Sequence, residues 1–598
     1  MDRNHSQFVS VCALGLMCCV ASAQNQAPEP ATLGTKPSAS VVPRAPVVFK
    51  TQGVAAANPL AVEAGFAMLK LGGSAVDAAI ATQLVLGLVE PQSSGIGGGA
   101  FALVHNARVG RKTPEKLYAY DGRETAPAAA TPERFIGADG LPLKFYDAVV
   151  NGKSIGTPGT VALLETMHKR HGKLAWAELF KPATALAERG FPVSPRLNSM
   201  VKLDRFLKDE PASRAYYFDA NGEPWPVGHA LKNPDYAAVL KAIADKGAKA
   251  FYEGDIADAV IAASRDYKEA TKQSDMTLAD LKSYSVIERE PVCSKYRTNK
   301  VCGFPAPSSG GVAIAQMLAA LERHPLEKWG PISVDSVHVM SEAGRLAFAD
   351  RGRFVADPAF IDQPAGLTDP NYMRSRGDLI DLQKSMKRAE AGTPPGMKTA
   401  QAADNAANLT GTSHISVVDR WGNAVSMTTT IEDVFGARKM VRGFMLNNEL
   451  TDFSMAPSEQ GVPIANRVQA GKRPRSSMAP TIVYDAKGRV SIVGGSPGGS
   501  AIINYVAKTL VGLIDWKLDP QAAIDLPNFG SRNGPTELEK GTPLEALREP
   551  LEVRGHSVNL VEFTSGLQAL QRTSDAKGKP TGWRGGADSR REGMVIGD

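Results

Sequence analysis

Hydrophobic positions follow two different periods along the chain after residue 46. Apolar residues at helical spacing predict helices over 59–71, 74–89, 160–171, 176–189, 236–246, 334–349 and 500–514. Short alternating or β-branched runs between them predict strands over 101–105, 413–419, 424–430, 481–484 and 490–493. Ser74 and Asp77 form a capping box for the second helix. Helices and hairpins mixed in one chain indicate packed helix and sheet layers, which is an α+β fold.

The first 46 residues carry a pattern typical of an exported protein. Residues 1–23 match a signal peptide, because a mostly apolar run over 8–20 precedes Ala21-Ser22-Ala23, a small-x-small cleavage site. That run is shorter than the about 20 residues of a membrane span. Residues 24–46 are rich in Pro, Ala, Ser and Thr and predict a disordered leader. We expect a periplasmic or secreted protein without a membrane span in its mature form, and one globular unit over 47–598.

Cysteine usage agrees with export. Three of the five cysteines leave with the signal peptide, and only Cys293 and Cys302 remain. They bracket a segment that reads as strand, polar turn, strand, so a disulfide across a hairpin is expected. Two buried free thiols are the alternative. A metal site is disfavoured because no histidine lies near them in the sequence.

Charge and histidine placement exclude two classes of partner. The net charge of +6 is spread over 598 residues without a basic block, which argues against nucleic acid. His168 and His171 lie three apart on a predicted helix with Lys169 and Arg170 between them. The adjacent positive charge disfavours a metal site, and we expect a solvated helix face.

Two glycine-rich motifs match known functional patterns, but their sequence context does not fit those functions. The segment 95–100 fits the dinucleotide pattern G-x-G-x-x-A, but it follows a helix and enters a strand, the reverse of a pyrophosphate loop. The segment 494–498 fits the nucleophile elbow G-x-S-x-G, yet Pro497 lacks the N–H that such an elbow uses as an oxyanion donor. The N–H groups of Gly498 and Gly499 are better placed to hold a negative oxygen. A purely structural glycine turn is the alternative.

The Gly411–Thr412 bond is a candidate self-cleavage site. It joins a polar, Ala-rich stretch over 398–408, expected to be mobile, to the strand predicted over 413–419. Attack of the Thr412 hydroxyl on the Gly411 carbonyl, followed by hydrolysis, would leave Thr412 at a new N-terminus. A free α-amine with a pKa of about 7.7–8.0 could then serve as base for the hydroxyl of the same residue. The alternative is an ordinary turn glycine before a strand threonine.

Ordered motifs along nearly the whole chain after the leader resemble those of the γ-glutamyltransferase family, which are N-terminal-nucleophile hydrolases. The resemblance rests on Gly95–Phe101, Asp121-Gly122-Arg123-Glu124, Pro307-Ser308-Ser309-Gly310-Gly311, Thr412–Asp419, Leu446-Asn447-Asn448-Glu449, Asp452-Phe453-Ser454, Lys472-Arg473-Pro474, Ser476–Thr481, Gly495–Ser500 and Gly586–Arg590. It implies a four-layer αββα sandwich. It also implies a precursor cut into a large subunit, 47–411 after the leader, and a small subunit, 412–598, which stay together as a heterodimer.

The resemblance also implies the chemistry. Members take glutathione and other γ-glutamyl compounds as donors, with water or amino-acid and peptide amines as acceptors, and no cofactor or metal. By resemblance, Thr412 is the nucleophile, Thr430 supports it, and Gly498 and Gly499 form the oxyanion hole. His414 is not needed as a base, since on a strand it faces away from Ser413 and the terminal amine serves instead.

The same resemblance implies which residues bind the γ-glutamyl head of the donor. Arg123, Ser476 and Ser477 would bind the α-carboxylate, and Glu449 and Asp452 the α-ammonium. Glu432 departs from the family, whose well-known members have Asn there, although an anionic side chain can still accept from an ammonium. Residues 455–471 occupy the place where some members carry a lid.

Two rival functions remain open at this stage. A glutaryl or cephalosporin acylase would share the fold and the motifs, but an acyl group without an α-amine needs no carboxylate at Asp452. A processed but inactive binding protein is disfavoured by the intact set of Thr412, Arg123, Gly498 and Gly499.

Overall fold

The structure, a computed structural model, describes residues 44–107, 116–398, 401–404 and 411–598. The predicted signal peptide, most of the leader and part of the stretch 398–408 lie outside these residues. In chain order the helices are α1 (Pro59–Lys70), α2 (Ala75–Val89), α3 (Phe145–Val149), α4 (Thr160–His171), α5 (Lys181–Arg189), α6 (Pro195–Leu203), α7 (Pro211–Tyr217), α8 (Pro234–Lys246), α9 (Lys249–Tyr252), α10 (Asp255–Arg265), α11 (Leu278–Ser283), α12 (Gly310–Leu321), α13 (Leu326–Trp329), α14 (Val334–Phe354), α15 (Pro370–Gly377), α16 (Ile502–Ile514), α17 (Pro520–Asp525) and α18 (Arg548–Val553).

The strands are β1 (Val47–Phe49), β2 (Gly53–Ala56), β3 (Gly99–Asn106), β4 (Lys116–Gly122), β5 (Phe191–Pro192), β6 (Ala230–Leu231), β7 (Ile287–Arg289), β8 (Val292–Tyr296), β9 (Asn299–Gly303), β10 (Ser413–Val418), β11 (Ala424–Thr430), β12 (Met440–Val441), β13 (Phe444–Met445), β14 (Ser458–Glu459), β15 (Val462–Pro463), β16 (Thr481–Tyr484), β17 (Val490–Gly495), β18 (Phe529–Ser531), β19 (Thr536–Glu539), β20 (Val558–Val561), β21 (Gln568–Ser574), β22 (Pro580–Ala587) and β23 (Met594–Gly597).

Two seven-stranded sheets form the centre of the molecule. One has the order β23-β2-β10-β11-β3-β4-β7, and the other has the order β1-β22-β21-β17-β16-β9-β8. The sheets face each other, because β10 and β11 contact β17 while β10 also contacts β21. Every residue of β10 and β11 is buried, as expected for strands covered on both faces.

Helices cover the outer face of each sheet. On one side α1 and α2 pack on β2, β10 and β11, and on the other α12, α16 and α17 pack on strands of the second sheet. Each sheet–helix interface has its own large apolar core. The α+β fold and the four-layer αββα order are therefore confirmed.

One predicted helix is wrong in its extent. The segment 176–189 is not continuous, since a 3₁₀ helix over Trp176–Phe180 is followed by α5, which begins at Lys181. Pro182 occupies the first turn of α5, where a missing N–H costs nothing, but it cannot continue a preceding helix. The capping box of Ser74 and Asp77 is confirmed in both directions.

The two cysteines lie opposite each other in the hairpin of β8 and β9. Cys293 pairs with Cys302 in the strand register, and the structure joins their sulfurs in a disulfide. The turn between the strands places Arg297 at a φ of 53°. The strand–turn–strand interpretation is confirmed.

The expected solvated face of α4 is wrong. His171 Nε2 lies 2.7 Å from the Tyr120 hydroxyl of β4, and burial lowers the pKa of His171 to about 4. His168 is half-buried, with Nε2 2.9 Å from the Leu174 carbonyl oxygen. His171 faces β4, against which α4 packs, and His168 faces α2 and the segment that follows α4. Neither belongs to a metal-binding cluster among the described residues. None of the helices in the described ranges has the length and apolar character to cross a membrane.

Candidate active site

The sheet topology brings Thr412 and Thr430 together. Thr412 immediately precedes β10, and Ser413 pairs with Thr429 of β11, so the end of β11 lies beside the start of β10. A small cavity opens there. Its lining consists of Arg123, Gly411, Thr412, Thr430, Glu432, Glu449, Asp452, Ser476, Ser477, Met478, Gly499 and Ile502. The structure thus brings together all of the site residues predicted from the sequence except Gly498, which adjoins Gly499.

The Gly411–Thr412 junction has the geometry of an oxygen nucleophile beside a carbonyl. The Thr412 hydroxyl contacts the Gly411 carbonyl oxygen, and Thr430 Oγ1 donates to the same oxygen at 2.9 Å. The two hydroxyl oxygens are 3.3 Å apart. The Glu432 N–H donates to Thr430 Oγ1 at 2.8 Å and fixes that hydroxyl. Thr430 is therefore placed to stabilise negative charge on the Gly411 oxygen if Thr412 attacks the carbonyl carbon.

Gly411 itself is required by close backbone packing. A Cβ at this position would lie 2.3 Å from the Glu432 carbonyl oxygen. Any side chain would have to displace main chain, so the residue before Thr412 can only be glycine without a rearrangement of the junction.

The turn at Gly498 and Gly499 also depends on glycine. Their φ values are 134° and 57°, and a Cβ on Gly498 would lie 2.5 Å from a ring carbon of Tyr505. The turn leads through a 3₁₀ helix (Gly499–Ala501) into α16, which begins two residues later than the sequence predicts. Because Gly499 lines the cavity with Thr412, the turn lies where oxyanion donors are needed.

The predicted carboxylate and ammonium binders pair with each other. The Arg123 guanidinium contacts Glu449 through Nη1 and Asp452 through Nη2, and all three side chains are buried. Arg123 Nε donates to the Pro474 carbonyl oxygen at 3.1 Å. Burial alone would lower the pKa of Arg123, but Glu449 and Asp452 outweigh it and raise that pKa. A cation and two carboxylates in one cavity are the complement of a zwitterionic amino-acid head.

Glu432 faces the same cluster. Its carboxyl group accepts a hydrogen bond from Asn448 Nδ2, while the Thr451 hydroxyl, 3.4 Å away, donates to the Asn448 carbonyl oxygen at 2.8 Å. Burial, then the neighbouring Asp452 and Asp433, raise the pKa of Glu432 well above its ordinary value. Burial likewise raises the pKa of Glu449 despite Arg123. Both carboxyl groups therefore retain protons to a higher pH than free glutamate does.

Sequence reasoning missed Arg351, which holds one of the two serines. Arg351 Nη2 donates to Ser477 Oγ at 2.8 Å, and its Nε donates to Ser309 Oγ at 2.8 Å. Ser309 Oγ in turn donates to the Ser476 carbonyl oxygen at 2.7 Å. The predicted helix ended at 349, whereas α14 continues to Phe354 and carries Arg351 on its buried side. A continued helical period was the signal that could have found it.

His414 is engaged elsewhere. Its Nδ1 lies 2.8 Å from Thr428 Oγ1 and its Nε2 lies 3.0 Å from Ser416 Oγ. Burial lowers the pKa of His414 to about 3. The Ser413 hydroxyl points the other way and donates to Glu90 at 3.3 Å, as the strand alternation predicts.

The segment 455–471 contains a small exposed hairpin over 458–463, followed by buried residues at 464–466 and 468. Strands β14 and β15 pair with each other, and an isolated bridge joins Ile464 to Ala402. Among the described residues, none that lines the cavity comes from this segment.

Comparison with known proteins decides the family. Residues 61–598 match the family model described as Gamma-glutamyltranspeptidase. The chain belongs to the γ-glutamyltranspeptidase family. It is 36% identical over 562 residues to the glutathione hydrolase proenzyme of Bacillus subtilis (strain 168), covering 92% of each chain. It is 35% identical to the acylase ACY 1 proenzyme of Pseudomonas sp. (strain SE83), covering 84% of this chain and 86% of the relative.

A solved structure gives the same architecture. The cephalosporin acylase from Bacillus halodurans superposes with a TM-score of 0.80 at 26% identity, over 94% of this chain and 99% of that chain. The γ-glutamyltranspeptidase family thus includes relatives named for hydrolysis of glutathione and relatives named as acylases, and the residues around the cavity must distinguish the two.

Proposed function

We propose that this γ-glutamyltranspeptidase-family chain is an autoprocessed γ-glutamyltransferase and glutathione hydrolase. Its precursor is cut between Gly411 and Thr412, which leaves a large subunit ending at Gly411 and a small subunit, 412–598. The two remain associated as a heterodimer, since β10 and β11 of the small subunit pair with β2 and β3 of the large one. Donors are glutathione and other γ-glutamyl compounds, and acceptors are water or amino-acid and peptide amines.

The observation that carries the proposal is the charge arrangement beside Thr412. Arg123 and the carboxylates of Glu449 and Asp452 share one buried cavity with the nucleophile. A donor's α-carboxylate can replace the carboxylates on Arg123 and reach Ser476 and Ser477, while its α-ammonium takes Asp452 and Glu449. This exchange leaves no charge unpaired in the cavity.

The chemistry then follows from Thr412. Its hydroxyl oxygen attacks the γ-carbonyl carbon of the donor while the Thr412 α-amine takes the hydroxyl proton. The N–H groups of Gly498 and Gly499 hold the oxyanion. The C–N bond breaks, the leaving amine receives the proton, and a γ-glutamyl ester remains on Thr412. Water or an acceptor amine attacks the ester and returns the proton to the Thr412 oxygen.

The acylase alternative is favoured by the named acylase relatives and opposed by the cavity. Glutaryl and related acyl groups carry no α-amine, and binding one would leave Asp452 and Glu449 buried without a cation from the ligand. The geometry of Thr412 and the glycine turn would serve both activities, so only the residues facing the α-ammonium separate them.

The Asp452→Asn variant tests the proposal. Loss of the carboxylate removes a main partner of the substrate ammonium, at a cost on the order of 2–5 kcal/mol, or roughly 30-fold to several thousand-fold in kcat/KM. We expect this loss on γ-glutamyl donors and a much smaller one on glutaryl donors of the same chain length. Steady-state kinetics on matched donors measure it. Equal losses on both donors, or a wild-type preference for the glutaryl compound, would favour the acylase assignment.

Export is part of the proposal. The signal-peptide pattern over residues 1–23 and the Cys293–Cys302 disulfide both suit an oxidising compartment outside the cytoplasm. We therefore assign the mature protein to the periplasm or the medium.

A further inference from the structure

The main chain of Thr412 is held by a side chain from the far end of the small subunit. Arg591 Nη1 donates to the Thr412 carbonyl oxygen at 2.8 Å, across 179 residues of sequence. Arg591 Nε donates to the Thr564 carbonyl oxygen at 3.2 Å, so the guanidinium is fixed at a second point. Cleavage at Gly411–Thr412 does not break the bond to the Thr412 carbonyl group, so this contact does not depend on the uncut chain.

Arg591 lies in a buried charged cluster behind the nucleophile. Glu90, at the end of α2, accepts from the Ser413 hydroxyl and lies 3.6 Å from Arg196 Nε. Arg591, Glu90 and Arg196 are all at least nine-tenths buried. Burial, then the neighbouring Arg196, lower the pKa of Arg591 to about 9, so the guanidinium still carries its charge at neutral pH.

The charges that face Thr412 come from two sides. Arg591 and Glu90 lie beside the end of α2, with the Asp588 and Glu592 carboxylates as charged neighbours, and the cavity side presents Arg123, Glu432, Glu449 and Asp452. Burial raises the pKa of Glu90, which weakens it as a counter-charge near neutral pH. The cavity carboxylates are engaged with Arg123 or retain protons. Arg591 is the cation with a direct hydrogen bond to the nucleophilic residue.

We propose that Arg591 is a positioning residue for Thr412. Arg591 fixes the Thr412 main chain, and its positive charge keeps the new α-amine in the neutral form, which can act as base. This inference rests on the proposed function, because the amine exists only after cleavage. The carbonyl oxygen and the amine nitrogen of one residue are about 3–4 Å apart, which follows from backbone geometry. A guanidinium bonded to that oxygen therefore lies within the range at which a like charge disfavours an ammonium.

Three variants separate charge from position. Arg591→Gln removes the charge and the fork, and Arg591→Lys keeps the charge but cannot span the Thr412 and Thr564 carbonyl oxygens together. Arg420→Gln is the matched control, because it removes one positive charge just beyond the opposite end of β10. For each variant the cleaved fraction is measured by gel and mass spectrometry, and kcat and KM for glutathione are measured across pH.

We expect the acid limb of kcat/KM to move upward by about one pH unit in Arg591→Gln and to stay in place in Arg591→Lys and Arg420→Gln. Both Arg591 variants should lose kcat, on the order of tenfold or more, because the nucleophile is less well fixed. KM should change little, since Arg591 does not line the cavity. A merely structural role would lower the yield of cleaved enzyme without moving the acid limb.

The outcomes are distinguishable. A wild-type chain that is neither cleaved nor active on glutathione overturns the proposed function. A cleaved, active wild type whose Arg591→Gln variant has an unshifted acid limb overturns the inference. If Arg591→Gln is not processed, Arg591→Lys decides. A fully cleaved Arg591→Lys variant with reduced kcat and unchanged KM supports positioning, and one whose kcat per cleaved molecule equals that of the wild type overturns it.

Discussion

Arg123 pairs with two carboxylates inside the cavity. Its fork contacts Glu449 and Asp452 and also donates to the carbonyl oxygens of Pro474 and Arg475. Lysine carries the charge but has neither the planar fork nor the number of donors, so Arg123→Lys would leave part of this set unsatisfied.

Arg123→Lys should raise KM for glutathione by about tenfold to a hundredfold, the cost of one or two charged hydrogen bonds. Chain cleavage should be intact, because processing involves no substrate carboxylate. Steady-state kinetics and a denaturing gel test both points. A KM equal to that of the wild type would show that Arg123 does not bind the donor.

For single residues, the sequence predicted which residues form the site but not which groups they contact. Thr412, Thr430, Arg123 and the glycine pair could be named because each lies in a short motif. Arg591 could not, because it acts across 179 residues of sequence and only the packed fold brings the atoms together. For Arg351, a continued helical period could have placed it on the buried side of α14, but its contact with Ser477 across 126 residues could not be predicted. The direct pairing of Arg123 with Glu449 was also missed, because the sequence prediction assigned these two residues to different ends of the ligand.

Among the secondary-structure elements, the β8–β9 hairpin bears on the cellular compartment of the protein, because it carries the disulfide. Cys293 and Cys302 are register partners, so their side chains meet without any movement of the strands. We expect no free thiol in the mature, exported protein. Thiol titration of denatured, unreduced material measures this, and two titratable thiols would refute the hairpin disulfide in solution and weaken the export assignment.

A histidine pair joins helix α14 to the small subunit. His338 Nε2 lies 2.7 Å from the Asp381 carbonyl oxygen and must donate to it, so His338 Nδ1 accepts from His556 Nε2 at 2.7 Å. The Thr536 hydroxyl, 2.7 Å away, then donates to His556 Nδ1. Both rings are neutral in this arrangement, and every ring nitrogen has a partner.

Acid should weaken this link. Burial lowers the pKa of His338 and lowers that of His556 to about 3. In the unfolded chain the value is about 6.5, so below that pH the unfolded state binds more protons and stability is lost as pH falls. His556 contributes about 2 kcal/mol of this loss between about pH 6.5 and about pH 5, and the lowered pKa of His338 adds a loss of the same sign.

His556→Gln should therefore reduce the pH dependence of stability. Urea unfolding near pH 7 and near pH 5 should show a smaller difference in the variant than in the wild type. His229→Gln, at a partly exposed histidine, is the control. An identical pH dependence in His556→Gln and the wild type would contradict the neutral-pair account.

The type of a secondary-structure element could be predicted where the hydrophobic period and the helix-breaking residues indicate the same element. The capping box at Ser74 and the strands around Thr412 follow directly from the sequence. The break before α5 was missed because apolar spacing continues across Pro182. The buried side of α4 was missed because His171 looks polar until its contact with Tyr120 is known.

For the whole molecule, the sandwich explains why one threonine can serve two reactions. Strand β10, which Thr412 immediately precedes, lies inside one of the two sheets, with helices on one side and the second sheet on the other, so the Gly411–Thr412 junction lies at the edge of a buried strand. In the proposed function, this edge presents Thr412 to the Gly411 carbonyl in the precursor and to the donor in the cavity. Periodicity alone could not give the number of layers, which the family resemblance supplied.

The central claim is that Thr412 becomes the N-terminus and nucleophile of a separate small subunit. N-terminal sequencing of the smaller fragment of the purified wild type tests it most directly, with Thr412→Ala, expected to stay uncut and inactive, as the control. We predict a fragment that begins Thr-Ser-His-Ile, from Thr412 to Ile415. A fragment with any other start, or an uncut wild-type chain that hydrolyses glutathione, would contradict the account.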